Sequence, residues 1–194
     1  MRSTLFVNIT VNDDLLYITN LYCNYVNYLI DLLKPTDEEM LELFIIPFSK
    51  SKPKINYILK PLRQNAQLPK QFSRLAERRA LALLRSFCRK VKKMFVKYNG
   101  EVRELLNQVP SPSYNKVIDL DDRVSKISGR MMQICFNDKV VETELEIPVP
   151  VTSKALQLDL DKKGALLLVP SIRYATGTQL GERFEKPSPQ LDKI

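Results

Sequence analysis

The sequence contains no histidine and no tryptophan, and only five glycines and three cysteines among 194 residues. Without histidine the chain lacks the commonest general base at neutral pH and the commonest metal ligand. A Ser–His or Cys–His mechanism is therefore excluded. Cys23, Cys88 and Cys135 lie far apart, each among apolar neighbours. That spacing argues against a zinc site and for buried free thiols in a reducing compartment. The few glycines form no phosphate-cradling loop, and no nucleophile elbow occurs. No apolar run reaches about 18 residues, and Met1 to Asn8 lack the ordered regions of a signal peptide. A soluble cytoplasmic protein, or a nuclear one in a eukaryote, with no membrane partner is the expectation.

What is present is an apolar fraction of 44%, enough to bury a core, and 30 Lys and Arg against 22 Asp and Glu. The resulting charge of +8 and pI near 9.4 favour polyanionic partners through long-range attraction and counterion release.

Along the chain, residues 3 to 11 are rich in β-branched and aromatic types and read as a strand. Asn12 or Asp13 then caps a helix in which Leu15, Ile18, Tyr22, Tyr25, Leu29 and Leu32 recur at spacings of three and four, until Lys34-Pro35 ends it. Thr36 and Glu39 form a capping box for a short helix to Ile46. Pro47, Pro53, Pro61 and Pro69 predict an irregular connector over 47–70. A long helix follows from Gln71 to Tyr98, with Asn99-Gly100 as its stop and a further helical piece over 101–108. After Pro112 the period changes to that of strands. These are expected over 116–120, 123–127, 130–136, 140–149, 156–160 and 166–174, with turns at Asp121-Asp122, Ser128-Gly129, Asn137-Asp138, 150–153 and 161–164. The order predicts an α+β chain: a first strand over 1–12, a helical insertion over 13–110, the rest of a mostly antiparallel β domain over 111–176, and a tail over 177–194.

The long helix carries the strongest functional signal. Phe72, Ala76, Ala80, Leu83, Phe87, Val91, Met94 and Tyr98 form its apolar stripe, and Arg74, Arg78, Arg85, Arg89 and Lys92 fall opposite within a sector about 60° wide. Between Lys60 and Lys97 there are twelve basic residues and one acidic one, Glu77, so pairing along the helix cannot neutralise the face. A solvated helix face usually mixes both signs, whereas this one fits a phosphate-binding face. Lys93, Lys70, Lys52 and Lys54 extend the candidate set. Phe48, Tyr57, Phe72, Phe95 and Tyr98 lie near enough to be considered for base stacking, although Phe72 and Tyr98 sit on the apolar stripe and are assigned to the core.

Asp119, Asp121 and Asp122 pose the enzyme alternative, because clustered carboxylates at a strand end can hold Mg²⁺ for phosphodiester cleavage. A turn between two strands explains the same residues, and no catalytic residue, metal or cofactor is assigned. A small basic DNA-binding regulator using the 71–98 helix on duplex DNA is the other alternative.

Several stretches resemble a known family. They are Ser3-Thr4-Leu5-Phe6-Val7 with the helix containing Cys23 to Ile30, Leu68-Pro69-Lys70-Gln71 opening the basic helix, Leu120-Asp121-Asp122-Arg123-Val124-Ser125, and the hairpin from Leu156 to Val169 around Lys162-Lys163-Gly164. Together they are similar to the N-terminal half of TnpB transposon-encoded RNA-guided nucleases and type V CRISPR effectors. In that family a wedge-type β-barrel begins with one strand, is interrupted by a helical recognition domain, resumes, and leads into a RuvC-like nuclease domain. The resemblance implies a non-catalytic lobe that binds guide-type structured RNA and an RNA–DNA target duplex. It also implies that catalysis comes from a RuvC-like polypeptide, since the sequence ends about where that domain would begin.

Overall fold

The computed structural model describes residues 2–64, 67–98 and 101–170. Strand β1 (Arg2–Asn8) is followed by helices α1 (Asp13–Leu33), α2 (Glu38–Ile45), α3 (Phe48–Gln64), α4 (Lys70–Tyr98) and α5 (Val102–Gln108). Strands β2 (Val117–Asp119), β3 (Ser125–Phe136), β4 (Lys139–Val149), β5 (Lys154–Asp159) and β6 (Gly164–Pro170) complete the chain. The fold is α+β, as the sequence predicts. No described helix is long and apolar enough to cross a membrane.

Helix α1 begins where Asn12 Oδ1 accepts from the Leu15 amide at 2.9 Å, with Asp13 and Asp14 complementing the helix dipole in its first turn. Its inward face is Leu15, Ile18, Tyr22, Val26, Leu29 and Leu33, all buried. Helix α2 starts one residue later than the expected capping box. Asp37, not Thr36, is the cap, and its Oδ1 accepts from the Met40 amide at 2.9 Å. A carboxylate is the stronger acceptor, and Thr36 turns its hydroxyl toward Asp37 instead.

The expected connector over 47–70 is helix α3 for most of its length, despite Pro53 and Pro61 inside it. Each interior proline costs about 3 kcal/mol by removing an amide donor and crowding the preceding turn. Burial offsets this: Ile55 and Leu59 are each 1% exposed and Ser51 is fully covered, while Ile58 and Leu62 pack against the same core. Full burial of one such aliphatic side chain contributes about 1.5–3 kcal/mol. Both prolines are exposed, so the carbonyls of Ser49 and Tyr57 that lose their partners lie on the water side.

Helix α4 runs through the middle of the helical layer against α1, α2 and α5, and reaches the strands through Phe72, whose ring meets Phe136 of β3 edge-on at 5.2 Å. The main sheet is antiparallel in the order β1-β6-β5-β2, with Phe6 opposite Leu166 and Ile118 opposite Leu158. The first strand thus pairs with the last described one, and all five helices lie between β1 and β2 in sequence. Strands β3 and β4 form a separate hairpin about Asn137, which takes the left-handed conformation that asparagine tolerates.

Ser128-Gly129 is not a turn. Gly129 sits within the single long strand β3 at a register shift, with φ of 62°, a conformation in which a side chain would be strained. Strand β4 of the hairpin is tied to β1 and the residues just after it by the Ile9–Leu145 bridge, the Thr10 amide donating to Glu144 O at 3.0 Å, Thr143 Oγ1 donating to Thr10 O at 2.6 Å, Asn8 Nδ2 donating to Glu146 Oε2 at 2.6 Å and Asn12 Nδ2 donating to Glu142 O at 2.9 Å. Among the described residues the strands do not close into a barrel. Strand 166–174 is seen to Pro170. Its last residues, Asn99-Gly100 and the tail from Gly177 lie outside the described residues.

Candidate nucleic-acid interface

Helix α4 separates its two faces as the periodicity predicts. Phe72, Ala76, Ala80, Phe87 and Val91 are at most 3% exposed, with Leu83 and Met94 partly buried beside them. On the opposite side Arg74, Arg78, Arg89, Lys92 and Lys93 are exposed, as is Lys70 at the start. Arg74, Arg78, Arg89 and Lys92 make no hydrogen bond or ion pair with other described residues.

Arg85 departs from that set. It shares their angular sector but is half-buried, and burial followed by the Arg89 charge lowers its pKa. Lys52 and Lys54 lie on α3, not on a loop. Both are exposed, and Lys54 meets Glu39 at 3.7 Å in a pair so open to water that it contributes little.

The one acid of the basic segment faces inward. Glu77 is 6% exposed and accepts from Arg63 of α3 at 2.8 and 2.7 Å, a two-pronged pair that raises the Arg63 pKa. It is therefore occupied, and cannot neutralise the outer cations. Arg79, one residue beyond Arg78, lies outside the outer sector. Its Nε donates to Asp119 Oδ2 at 2.7 Å and its Nη2 to Oδ1, with the guanidinium 5.3 Å from the Tyr114 ring centre. A polar cleft of about 260 Å³ lies at this junction, where Arg78 and Arg79 face Leu120 and Leu156.

The three carboxylates of the enzyme alternative are each engaged. Asp119 accepts from Arg79, from Tyr22 Oη at 2.9 Å and from Gln157 Nε2 at 3.1 Å. Asp121 closes the turn: its Oδ1 accepts from the Arg123 amide at 2.9 Å, and its Oδ2 from Arg123 Nη2 at 2.6 Å and Gln71 Nε2 at 3.1 Å. Burial opposes its ionisation, but these donors outweigh it and hold its pKa below the ordinary value. Asp122 pairs with Lys154 at 2.5 Å. Among the described residues no group of three or more Asp, Glu, Cys or His side chains is placed to hold a metal ion.

Of the aromatics considered for stacking, Phe72 is in the core, Phe95 is partly buried, and Tyr57 stands out into solvent at 82% exposure. The side chains of Phe48 and Tyr98 lie outside the described set. The inward turn of Glu77 and its union with Arg63 are not legible in the periodicity, and a single acid in a long basic run is the one signal the sequence offers for them.

No protein-family model matches the chain, and no curated protein or solved structure is significantly similar to it.

Proposed function

We propose that the chain is a nucleic-acid-binding protein that takes phosphates on the outer face of α4 and acts without catalysis of its own. The observation that carries this reading is the inward-facing Glu77. It leaves Arg74, Arg78, Arg89 and Lys92 as an uncompensated row on a helix whose other face is anchored in the core. Such a row repels itself unless a polyanion supplies the counter-charge. Cations pair with Asp119, Asp121 and Asp122, which supports binding over metal-dependent hydrolysis.

RNA is preferred over DNA on the family resemblance alone. In that reading the two sheets form an open wedge-type barrel with a helical recognition insertion. The partners are then guide-type RNA, its target DNA and a RuvC-like nuclease polypeptide.

The test is fluorescence anisotropy with a structured RNA, a single-stranded RNA and a duplex DNA, for the wild type and for Arg74→Glu with Arg78→Glu. The expected result is tight binding of RNA that the two reversals abolish. Selective binding to duplex half-sites would move the protein to the DNA-regulator class, and no binding to any of the three would end the reading. A pull-down from the native host that recovers RNA but never a nuclease-like chain would remove the RuvC-like partner.

A further inference from the structure

We propose that the outer ridge of α3, formed by Pro53, Tyr57 and Pro61, is a stacking rail for unpaired bases of a single-stranded nucleic acid, with the neighbouring lysines on its phosphates. The inference rests on the nucleic-acid reading above and adds the class of substrate: strands with free base faces.

Three observations carry it. Ser51, Ile55 and Leu59 define the buried side of α3 at spacings of four. Pro53, Tyr57 and Pro61 repeat the same spacing on the far side, where all three are exposed. Residues four apart are neighbours on a helix surface, so the three rings make one slanting apolar ridge. Tyr57, at 82%, is the most exposed of the large apolar side chains among the described residues.

The prolines themselves are the second observation. Both break the hydrogen-bond pattern of a helix, and neither packs inward where it could serve the core. Violations of local folding preference that bring no packing in return mark surfaces kept for another purpose. Short rigid rings on either side leave the Tyr57 ring uncovered, which suits base stacking.

Charge is the third. Helix α3 carries Lys50, Lys52, Lys54, Lys60 and Arg63 and no acidic residue. By helical angle Lys54 and Lys60 fall on opposite flanks of Tyr57, and Lys50 lies nearly in line two turns earlier. Aromatic faces interleaved with lysines match single-stranded recognition, in which stacking is tolerant of sequence and cations follow the backbone. A duplex hides its base faces and offers the ridge nothing to stack on. The Arg63–Glu77 pair holds the end of α3 on α4, so the ridge and the cationic face belong to one helical layer.

The absence of tryptophan supplies the experiment. Tyr57→Trp places a single indole fluorophore on the ridge of the full chain. Oligouridylate should quench it on binding, and a fully paired RNA duplex should not. Tyr57→Ala should weaken oligouridylate binding about tenfold or more, the range expected of one lost stacked base, and leave duplex binding and the circular dichroism spectrum unchanged. Pro53→Ala should raise the melting temperature while lowering oligouridylate affinity, a combination that a purely structural proline would not give. Equal quenching by duplex, or unchanged oligouridylate affinity in Tyr57→Ala while Arg78→Ala with Arg89→Ala still weakens binding, would overturn the rail and leave the α4 reading intact. Failure of the wild type to bind either RNA would overturn both.

Discussion

Arg79 on α4 and Asp119 on β2 meet in a two-pronged ion pair that joins the helical layer to the four-stranded sheet across forty residues of sequence. Tyr22 of α1 and Gln157 of β5 donate to the same carboxylate, so three elements converge on the side chain that β2 carries. Asp119 is 15% exposed and Arg79 is 30% exposed, which places the pair where loss of one partner strands the other.

Asp119→Ala should therefore destabilise the fold by about 3–5 kcal/mol, the usual range for breaking a mostly buried pair from one side. Urea denaturation followed by circular dichroism measures it. A change below about 1 kcal/mol would show that the junction is held by apolar packing alone.

Stability should fall on the alkaline side. Burial, and then the Asp119 charge, push Tyr22 and Tyr114 above the ordinary tyrosine value, and burial pushes the Cys88 thiol up to about 12. The unfolded chain loses these three protons at its ordinary values, 9.0 for the thiol and 10.0 for the phenols, while the folded chain keeps them. Stability from this source is complete below the unfolded values and is lost as pH rises through them toward the folded ones. Each proton contributes a slope of about 1.4 kcal/mol per pH unit. Urea midpoints should hold between about pH 7 and pH 8 and drop steeply above about pH 10. A flat profile would mean that the phenols ionise freely in the folded state.

The thiols should separate by reactivity. Cys88 is fully buried, and Cys23 is buried with its Sγ donating to Val117 O at 3.2 Å, whereas Cys135 is only partly covered. An aromatic disulfide reagent at about pH 8 should label one thiol quickly in the native protein and the other two only on unfolding. Cys135→Ser should remove the fast phase. Its persistence would place Cys23 or Cys88 at the surface.

Where chemistry was local, the sequence announced the fold. Asn12 and Lys34-Pro35 bracket α1, and Pro69 precedes α4, because caps and breakers act within a turn of where they stand. Helix α3 is hidden from a local reading because prolines weigh heavily there, whereas Ile55 and Leu59 count only once a core exists to bury them. Gly129 reads as a turn in the sequence for a related reason: a glycine between two apolar alternations marks a turn and a bulge equally well, and only the pairing with β4 decides. The outer row of α4 was legible as an angle. Which of its cations stay free was not, because Arg85 occupies its position through neighbours that helical periodicity does not see.

That distinction sets the measurement for the α4 face. Arg74, Arg78, Arg89 and Lys92 are exposed, while Arg85 is half-buried, so four contacts and not five are expected to follow the salt concentration. At about −0.7 per phosphate contact on a single strand, these four residues alone should give log K against log salt a slope of about −2.8. Arg78→Ala with Arg89→Ala should make the total slope shallower by about 1.4 and weaken all RNA sequences alike, because phosphate contacts position the strand without specifying it. Neither residue touches the apolar stripe, so the fold should survive. Arg85→Ala should behave in the opposite way, lowering the melting temperature and leaving the slope nearly unchanged. If the double variant folds and keeps the wild-type slope, the row is a solvated surface and the phosphates lie elsewhere. If Arg85→Ala flattens the slope as much as the exposed pair does, the half-buried guanidinium reaches the ligand and the interface extends toward the core side of the helix.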